Sequence, residues 1–165
     1  MNAAVAADSR VDRAWRVLGS VLDPEVPALS VVDLGLVREV SVAGDGGLDI
    51  VLTPTYSGCP ATEAIEADIR SALAAAGLGP VRIRQRLSPP WTTDWLGADA
   101  RRKLNDYGIA PPCGTSVVHV LARNVACPRC GSARTERLSA FGSTACKSLY
   151  RCLDCREPFE YFKPI

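Results

Sequence analysis

The chain has 165 residues, 47% of them hydrophobic, with 19 Lys and Arg against 18 Asp and Glu. That length holds one ordinary domain, or a small domain plus a smaller one, and the composition excludes a disordered chain. A formal charge of +1 leaves no clustered basic excess for a large nucleic-acid footprint, and no apolar run approaches the roughly 18 residues of a membrane span.

The opening MNAAVAADSR lacks a basic n-region and a long apolar run. It reads as a frayed tail over residues 1–8, not a secretory signal, which points to a cytoplasmic protein. Val11, Ala14, Trp15, Leu18 and Leu22 then recur at helical spacing. Asp8 or Ser9 is the expected cap and Pro24 the expected end. DPEVPALSVVDLGLV follows, where Pro24, Pro27 and Gly35 predict an ordered loop. It carries three carboxylates, Asp23, Glu25 and Asp33. Leu36 to Val42 reads as a strand, Ala43 to Gly47 as a turn, and Leu48 to Thr53 as the hairpin partner.

After TYSGCP, residues Ile65, Ile69 and Leu73 line one face of a helix, with Ala61, Ala72 and Ala76 close to that face. Gly77 and Gly79 stop it. Val81 to Leu87 alternates as VRIRQRL, a one-sided strand. Residues 9–88 thus predict a small α-β-β-α-β domain. Residues 89–122 read as a Pro- and Trp-rich connector with a short helix over Asp99 to Tyr107, and Val117 to Ala122 as a strand leading into a C-terminal module at 123–165. The fold class is α+β, with a zinc-ribbon-like β module at the end.

Seven cysteines favour metal binding or thiol chemistry over disulfides in a cytosolic chain. Cys127 and Cys130 form one C-x-x-C pair, Cys152 and Cys155 a second. Two such knuckles supply four sulfurs, a closed tetrahedral site for Zn²⁺ in preference to Fe, structural and without an open position for catalysis. The strands of its hairpin are expected at Thr135 to Leu138 and Lys147 to Arg151. The alternative is four free thiols or two local disulfides. Cys146 reads as a spare ligand, a second functional thiol or a small packed residue. Cys113 reads as a loop residue, and His119 as a packed or edge-strand residue.

Cys59 stands apart. Pro60 is favoured at the first helical position, which makes Cys59 the expected N-cap, its sulfur beside free N–H groups at the positive end of the helix dipole. Such a seat favours the thiolate, a nucleophile and soft-metal ligand. A buried structural cysteine is the competing reading. Asp33 either caps a turn, or orients a ligand or helps coordinate iron, a Cys with one or two Asp residues suiting Fe. The lone His lies far along the chain, so no Cys–His dyad is available here.

DPEVPALSVVDLGLVREV and VLTPTYSGCPATEAIEADI together resemble the small α/β domain of the SufT-like iron–sulfur assembly family. The later PPWTTDWLGADARRKLNDYGIAPP and FGSTACKSLYRCLDCREPFEYFKPI narrow the resemblance to the PaaD-like (PaaJ-like) accessory proteins of bacterial phenylacetate degradation. The resemblance implies that Cys59 is the characteristic reactive residue, with acidic residues nearby. It implies an accessory role with the multicomponent phenylacetyl-CoA epoxidase, which has diiron oxygenase subunits and a flavin and 2Fe–2S reductase. General iron–sulfur assembly proteins are further expected partners.

The chain has no Glu-x-x-His diiron motif and no nucleotide-binding glycine fingerprint, so it is expected to be non-catalytic alone. The leading expectation is maturation or insertion of the epoxidase's iron–sulfur or iron centres, with Cys59 holding iron or a cluster transiently or reacting with a persulfide. Asp33 shapes that site, and Asp23, Glu25 and Cys146 are secondary candidates. A stable structural subunit of the oxygenase is the alternative. A nucleic-acid-binding ribbon is weaker, because Asp154, Glu157 and Glu160 offset its basic residues. A thiol redox catalyst would need a resolving thiol from Cys146 or a partner. An exposed hairpin edge leaves a homodimer open.

Overall fold

The computed structural model describes residues 3–56, 58–113 and 125–165, with side chains from residue 9 onward. The strand expected at 117–122, and His119 with it, lie outside the described residues. The chain forms two compact units, Met1–Trp91 and Thr92–Ile165.

In the first unit, helix α1 (Ala3–Leu18) packs against strand β1 (Val37–Val42) and helix α2 (Thr62–Ala75). Strand β2 (Leu48–Leu52) pairs antiparallel with β1 and parallel with β3 (Val81–Gln85). The strand order is therefore β1-β2-β3. The helix between β2 and β3 is the crossover that a parallel pair requires. Leu48, Ile50 and Leu52 point into the core, where Ile65, Ile69 and Leu73 of α2 and Ala14 and Leu18 of α1 meet them, all nearly inaccessible to water. Val26, Leu29, Val31 and Leu34 of the loop between α1 and β1 are equally buried. That loop is thus part of the core and not a tether.

Three boundaries differ from expectation. Helix α1 starts at Ala3, because the alanine-rich run assigned to a tail has high helix propensity; Asp8 and Ser9 therefore fall within the helix and do not cap it. It ends at Leu18, where the Gly19 N–H donates to Trp15 O and Ser20 Oγ donates to Val17 O. Pro24 has no part in stopping it, and Leu22 is 51% exposed instead of joining the core face. Strand β3 stops at Gln85, leaving Leu87 exposed.

In the second unit, a 3₁₀ turn at Thr93–Trp95 and helix α3 (Ala98–Tyr107) precede β4 (Ile109–Ala110). Strands β5 (Thr135–Ser139), β6 (Lys147–Cys152) and β7 (Pro158–Phe162) complete a sheet of order β4-β7-β6-β5. The stretch expected as a connector thus supplies an edge strand, β4, which pairs parallel with β7. Arg101 ties this part together, donating from Nε to Leu96 O, from Nη2 to Thr93 O and from Nη1 to Pro112 O. Beside the sheet, Ala110, Val125, Cys127, Cys152, Phe159 and Tyr161 form one buried cluster, with Tyr150 against it.

Candidate functional site

The acidic loop is built first. Asp23 is buried; its Oδ1 accepts from the N–H groups of Glu25 (2.8 Å) and Val26 (2.7 Å). Ser30 and Asp33 bond reciprocally: the Ser30 N–H and Oγ donate to Asp33 Oδ2 at 3.0 and 2.9 Å, and the Asp33 N–H donates to Ser30 Oγ at 3.0 Å. This is a capping-box arrangement, S-x-x-D, closing the turn before β1. The Trp91 indole N–H then donates to Leu34 O at 2.8 Å. Asp23 and Asp33 therefore spend carboxylate oxygens on holding backbone.

The Thr53 N–H donates to Leu36 O at 2.8 Å. This bond joins the exit of the acidic loop to the start of the segment that carries Cys59. Because β1 and β2 are antiparallel, both loops leave from the same end of the sheet, where α2 also begins. A small apolar cavity of about 20 Å³ lies there, lined by Leu36, Leu52, Thr53, Pro54, Thr62 and Ile65. Its apolar lining offers no partners for a water, and its size admits no more than a methyl group.

Cys59 is half-buried. It is not the N-cap of α2; Ala61 is. Cys59 lies two positions earlier, in a separate turn closed by the Thr62 N–H donating to Cys59 O at 3.2 Å. Pro60 favours that turn as well as it would favour a first helical turn. The preceding Gly58 has φ 88°, a left-handed conformation that favours glycine, and a β-carbon there would meet nothing within 4 Å.

The second site is the four-cysteine group. The Sγ atoms of Cys127, Cys130, Cys152 and Cys155 all lie within 4.8 Å of one another. Cys127 and Cys155 are 3.7 Å apart at sulfur, and Cys130 and Cys152 3.6 Å. Zn–S bonds of about 2.3 Å in a tetrahedron place sulfurs about 3.8 Å apart, so the donor set and spacing fit a tetrahedral ion. Each knuckle turns on a left-handed residue directly after its second cysteine, Gly131 at φ 73° and Arg156 at φ 65°. The Gly131 N–H donates to Cys127 O, and the Cys152 N–H to Glu157 O. Asp154 clasps one knuckle to the other, accepting from Ser132 Oγ and from Arg134 Nη1.

The Cys155 N–H, aimed at the Cys152 sulfur, draws that thiol down to about 7 against the effect of burial, with the Asp154 N–H adding to it. The Glu157 N–H also favours the Cys155 thiolate. Burial and the thiols of Cys152, Cys127 and Cys130 outweigh it and push Cys155 up to about 12. Four sulfurs in contact thus share protons, and a divalent cation among them replaces those protons.

Arg156 holds a conformation that costs a non-glycine residue about 1 kcal/mol or more. Arg156→Gly is therefore expected to raise the ribbon's stability by up to about 1 kcal/mol, glycine's extra freedom in the unfolded chain offsetting part of the gain. A thermal melt of the metal-loaded protein checks this; a fall in the midpoint would show that the guanidinium holds the knuckle.

The remaining candidates fall outside both sites. Cys146 is buried with its Sγ 3.1 Å from Thr144 Oγ1, and it is not in the four-sulfur group. Cys113 is exposed, its N–H donating to the Tyr161 hydroxyl at 3.4 Å. Burial, followed by Cys113 and Tyr150 nearby and against the effect of that N–H, raises Tyr161 to about 12. Two features escape a reading of spacing alone, the Ser132–Asp154–Arg134 clasp and the left-handed Arg156. Gly131 signals the first knuckle's turn, but an arginine in the equivalent place signals nothing.

The described chain thus carries a thiol turn at the loop end of an α/β unit, followed by a β-ribbon whose four sulfurs have the spacing of a tetrahedral metal site. Residues 12–83 match the family described as iron-sulfur cluster assembly protein, and residues 112–163 match the PaaD zinc beta ribbon domain. A domain of unknown function from Bacillus anthracis shares the first fold, with TM-score 0.57 and 25% identity, covering 61% of this chain and 96% of that one. An Fe-S protein maturation auxiliary factor of Porphyromonas gingivalis is 36% identical over 54% of this chain and 85% of its own length. A protein of Escherichia coli, described as a putative subunit of 1,2-phenylacetyl-CoA epoxidase, is 51% identical over 98% of both chains. The chain belongs to the family of that epoxidase protein, the PaaD family.

Proposed function

We propose that this chain is an accessory factor of the phenylacetyl-CoA epoxidase that matures or inserts the complex's iron–sulfur or iron centres, and that it is not itself an enzyme. The observation that carries the reading is the 51% identity, over 98% of both chains, to the protein described as a putative epoxidase subunit, together with the assembly-family match of the unit bearing Cys59. Cys59 is the iron-, cluster- or persulfide-handling thiol. One thiolate supplies a fraction of the four ligands a cluster takes. Cargo held there lacks a full protein ligand set and passes readily to an acceptor. Asp33 acts through the shape of its turn, and Asp23 and Glu25 through the loop that carries it. Zn²⁺ occupies Cys127, Cys130, Cys152 and Cys155 as a structural ion. The partners are the diiron oxygenase subunits and the flavin and 2Fe–2S reductase, met in the cytoplasm; among the described residues, no helix is long and apolar enough to cross a membrane.

The test is reconstitution of cluster-free reductase with this protein, wild type and Cys59→Ala. The expected result is a variant that folds and keeps its zinc but leaves cluster occupancy of the reductase at the level reached without this protein. Full occupancy with Cys59→Ala would sink the proposal. A second reading, a stable structural component of the oxygenase, draws on the description of the Escherichia coli relative as part of the epoxidase. Co-purification with active epoxidase in fixed stoichiometry, unchanged by Cys59→Ala, would select it.

A further inference from the structure

We infer that the tip of the β5–β6 hairpin, centred on Phe141, is a rigid docking knob for a folded protein partner whose surface offers an apolar pocket rimmed by carboxylate. The inference rests on the accessory role proposed above and assigns the surface through which it is exercised.

Phe141 is 64% exposed, beside a half-exposed Leu138 at a register shift of β5. An exposed phenylalanine on a loose loop would be unremarkable; this one is on a loop held by several hydrogen bonds. The Phe141 N–H donates to Ser139 Oγ and the Gly142 N–H to Lys147 O. The Lys147 N–H closes back on Thr144 O, and the Ser143 N–H donates to Glu160 Oε1. Glu160 is in turn held by the Lys147 ammonium at 2.9 Å, with only 4% of the Lys147 side chain exposed. A β-carbon on Gly142 would come within 2.5 Å of Glu160 Oε1, so a larger residue there would have to displace that carboxylate from the turn. Burying an ammonium is costly, and here the buried pair fixes the shape of a loop whose tip faces water.

A rigid exposed aromatic loses little conformational freedom on binding, the property of an interface anchor. Charge selects the partner. The Lys163 ammonium lies 4.5 Å from the Phe141 ring centroid and donates to Ala140 O. A cation at the edge of an apolar knob is complementary to a pocket with a carboxylate at its rim. Stacking on a nucleic-acid base is disfavoured, since Lys163 covers one face of the ring, and Arg134, just before β5, and Arg151 of β6 are held by Asp154 and Glu136.

The experiment places a photo-crosslinking phenylalanine analogue at position 141 of the full, metal-loaded chain, with the same analogue at the exposed Tyr107 as control. Purified oxygenase and reductase components of the epoxidase are the probes, together with a single-stranded oligonucleotide. The expected result is a crosslink to one epoxidase component from position 141 and none from 107, with Phe141→Ser and Lys163→Glu each weakening capture of that component by about 30-fold, the scale of an interface anchor, while zinc content and the melt stay at wild-type values. A crosslink to a second copy of this chain, or to the oligonucleotide, overturns the inference. So does no crosslink from position 141 when the wild-type protein still raises cluster occupancy of the reductase; the accessory role then stands without this surface. Absence of both effects removes the two together.

Discussion

Cys152→Ser is expected to unfold the C-terminal ribbon while the N-terminal unit stays folded. The Cys152 sulfur belongs both to the four-sulfur group and to the buried cluster, at 0% exposure. Serine removes the thiolate and leaves three ligands for the ion. Structural zinc binding is coupled to folding and is worth on the order of 10 kcal/mol in small modules. The cluster of Ala110, Val125, Phe159 and Tyr161 that would remain is too small to replace that contribution. In a ¹H–¹⁵N correlation spectrum, resonances of β5, β6 and β7 should collapse while those of β1–β3 and α2 keep their dispersion. Chelation of the wild-type protein should give the same spectrum. Cys146→Ser is the control: its sulfur is outside the four-sulfur group, so that variant should keep metal and spectrum. A metal-free chain with an intact ribbon spectrum would overturn the structural role of the site.

The elements that were legible in the sequence are those whose burial follows a simple period. Ile65, Ile69 and Leu73 announce α2 because one face of a helix must be apolar to pack on the sheet. The paired C-x-x-C knuckles announce the four-sulfur group because two tight turns can bring four thiols to one point. Less legible features depend on competition between local signals. Pro60 suits a turn and a first helical position alike, so its presence did not decide that Ala61 would cap α2 and that Cys59 would sit in the turn before it. Strand β7 was hidden because Pro158 reads as a strand breaker, yet Pro is tolerated at the first residue of a strand, and Phe159 and Tyr161 alternate into the core. The role of Asp33 was legible in principle: Ser30 three residues before it completes a capping-box spacing. Only the fold shows that the turn they close sits at the sheet end from which Cys59 also leaves.

Replacing Glu160 tests the other buried charge of the ribbon. Glu160→Leu removes the carboxylate held 2.9 Å from the Lys147 ammonium and the acceptor of the Ser143 N–H. Breaking one side of such a pair costs about 3 kcal/mol, here at the lower end because 22% of the Glu160 side chain is exposed. Glu160→Gln keeps a neutral acceptor and should cost less. The double variant Lys147→Met with Glu160→Leu should recover most of the loss, since an apolar pair of similar volume is often neutral relative to a buried ion pair. Burial opposes ionisation of Glu160, but the Ser143 N–H and Lys147 outweigh it and hold its pKa below the ordinary 4.5. A carboxylate whose pKa is lower in the folded state stabilises the fold above its unfolded pKa, and the gain is lost as pH falls through the folded value. The stability advantage of wild type over Glu160→Leu should therefore be full at neutral pH and shrink below about pH 4.5. Because acid also protonates the thiol ligands, the comparison is made by denaturant unfolding at matched metal occupancy. An advantage independent of pH over that range would mean that the pair acts by packing and not by charge.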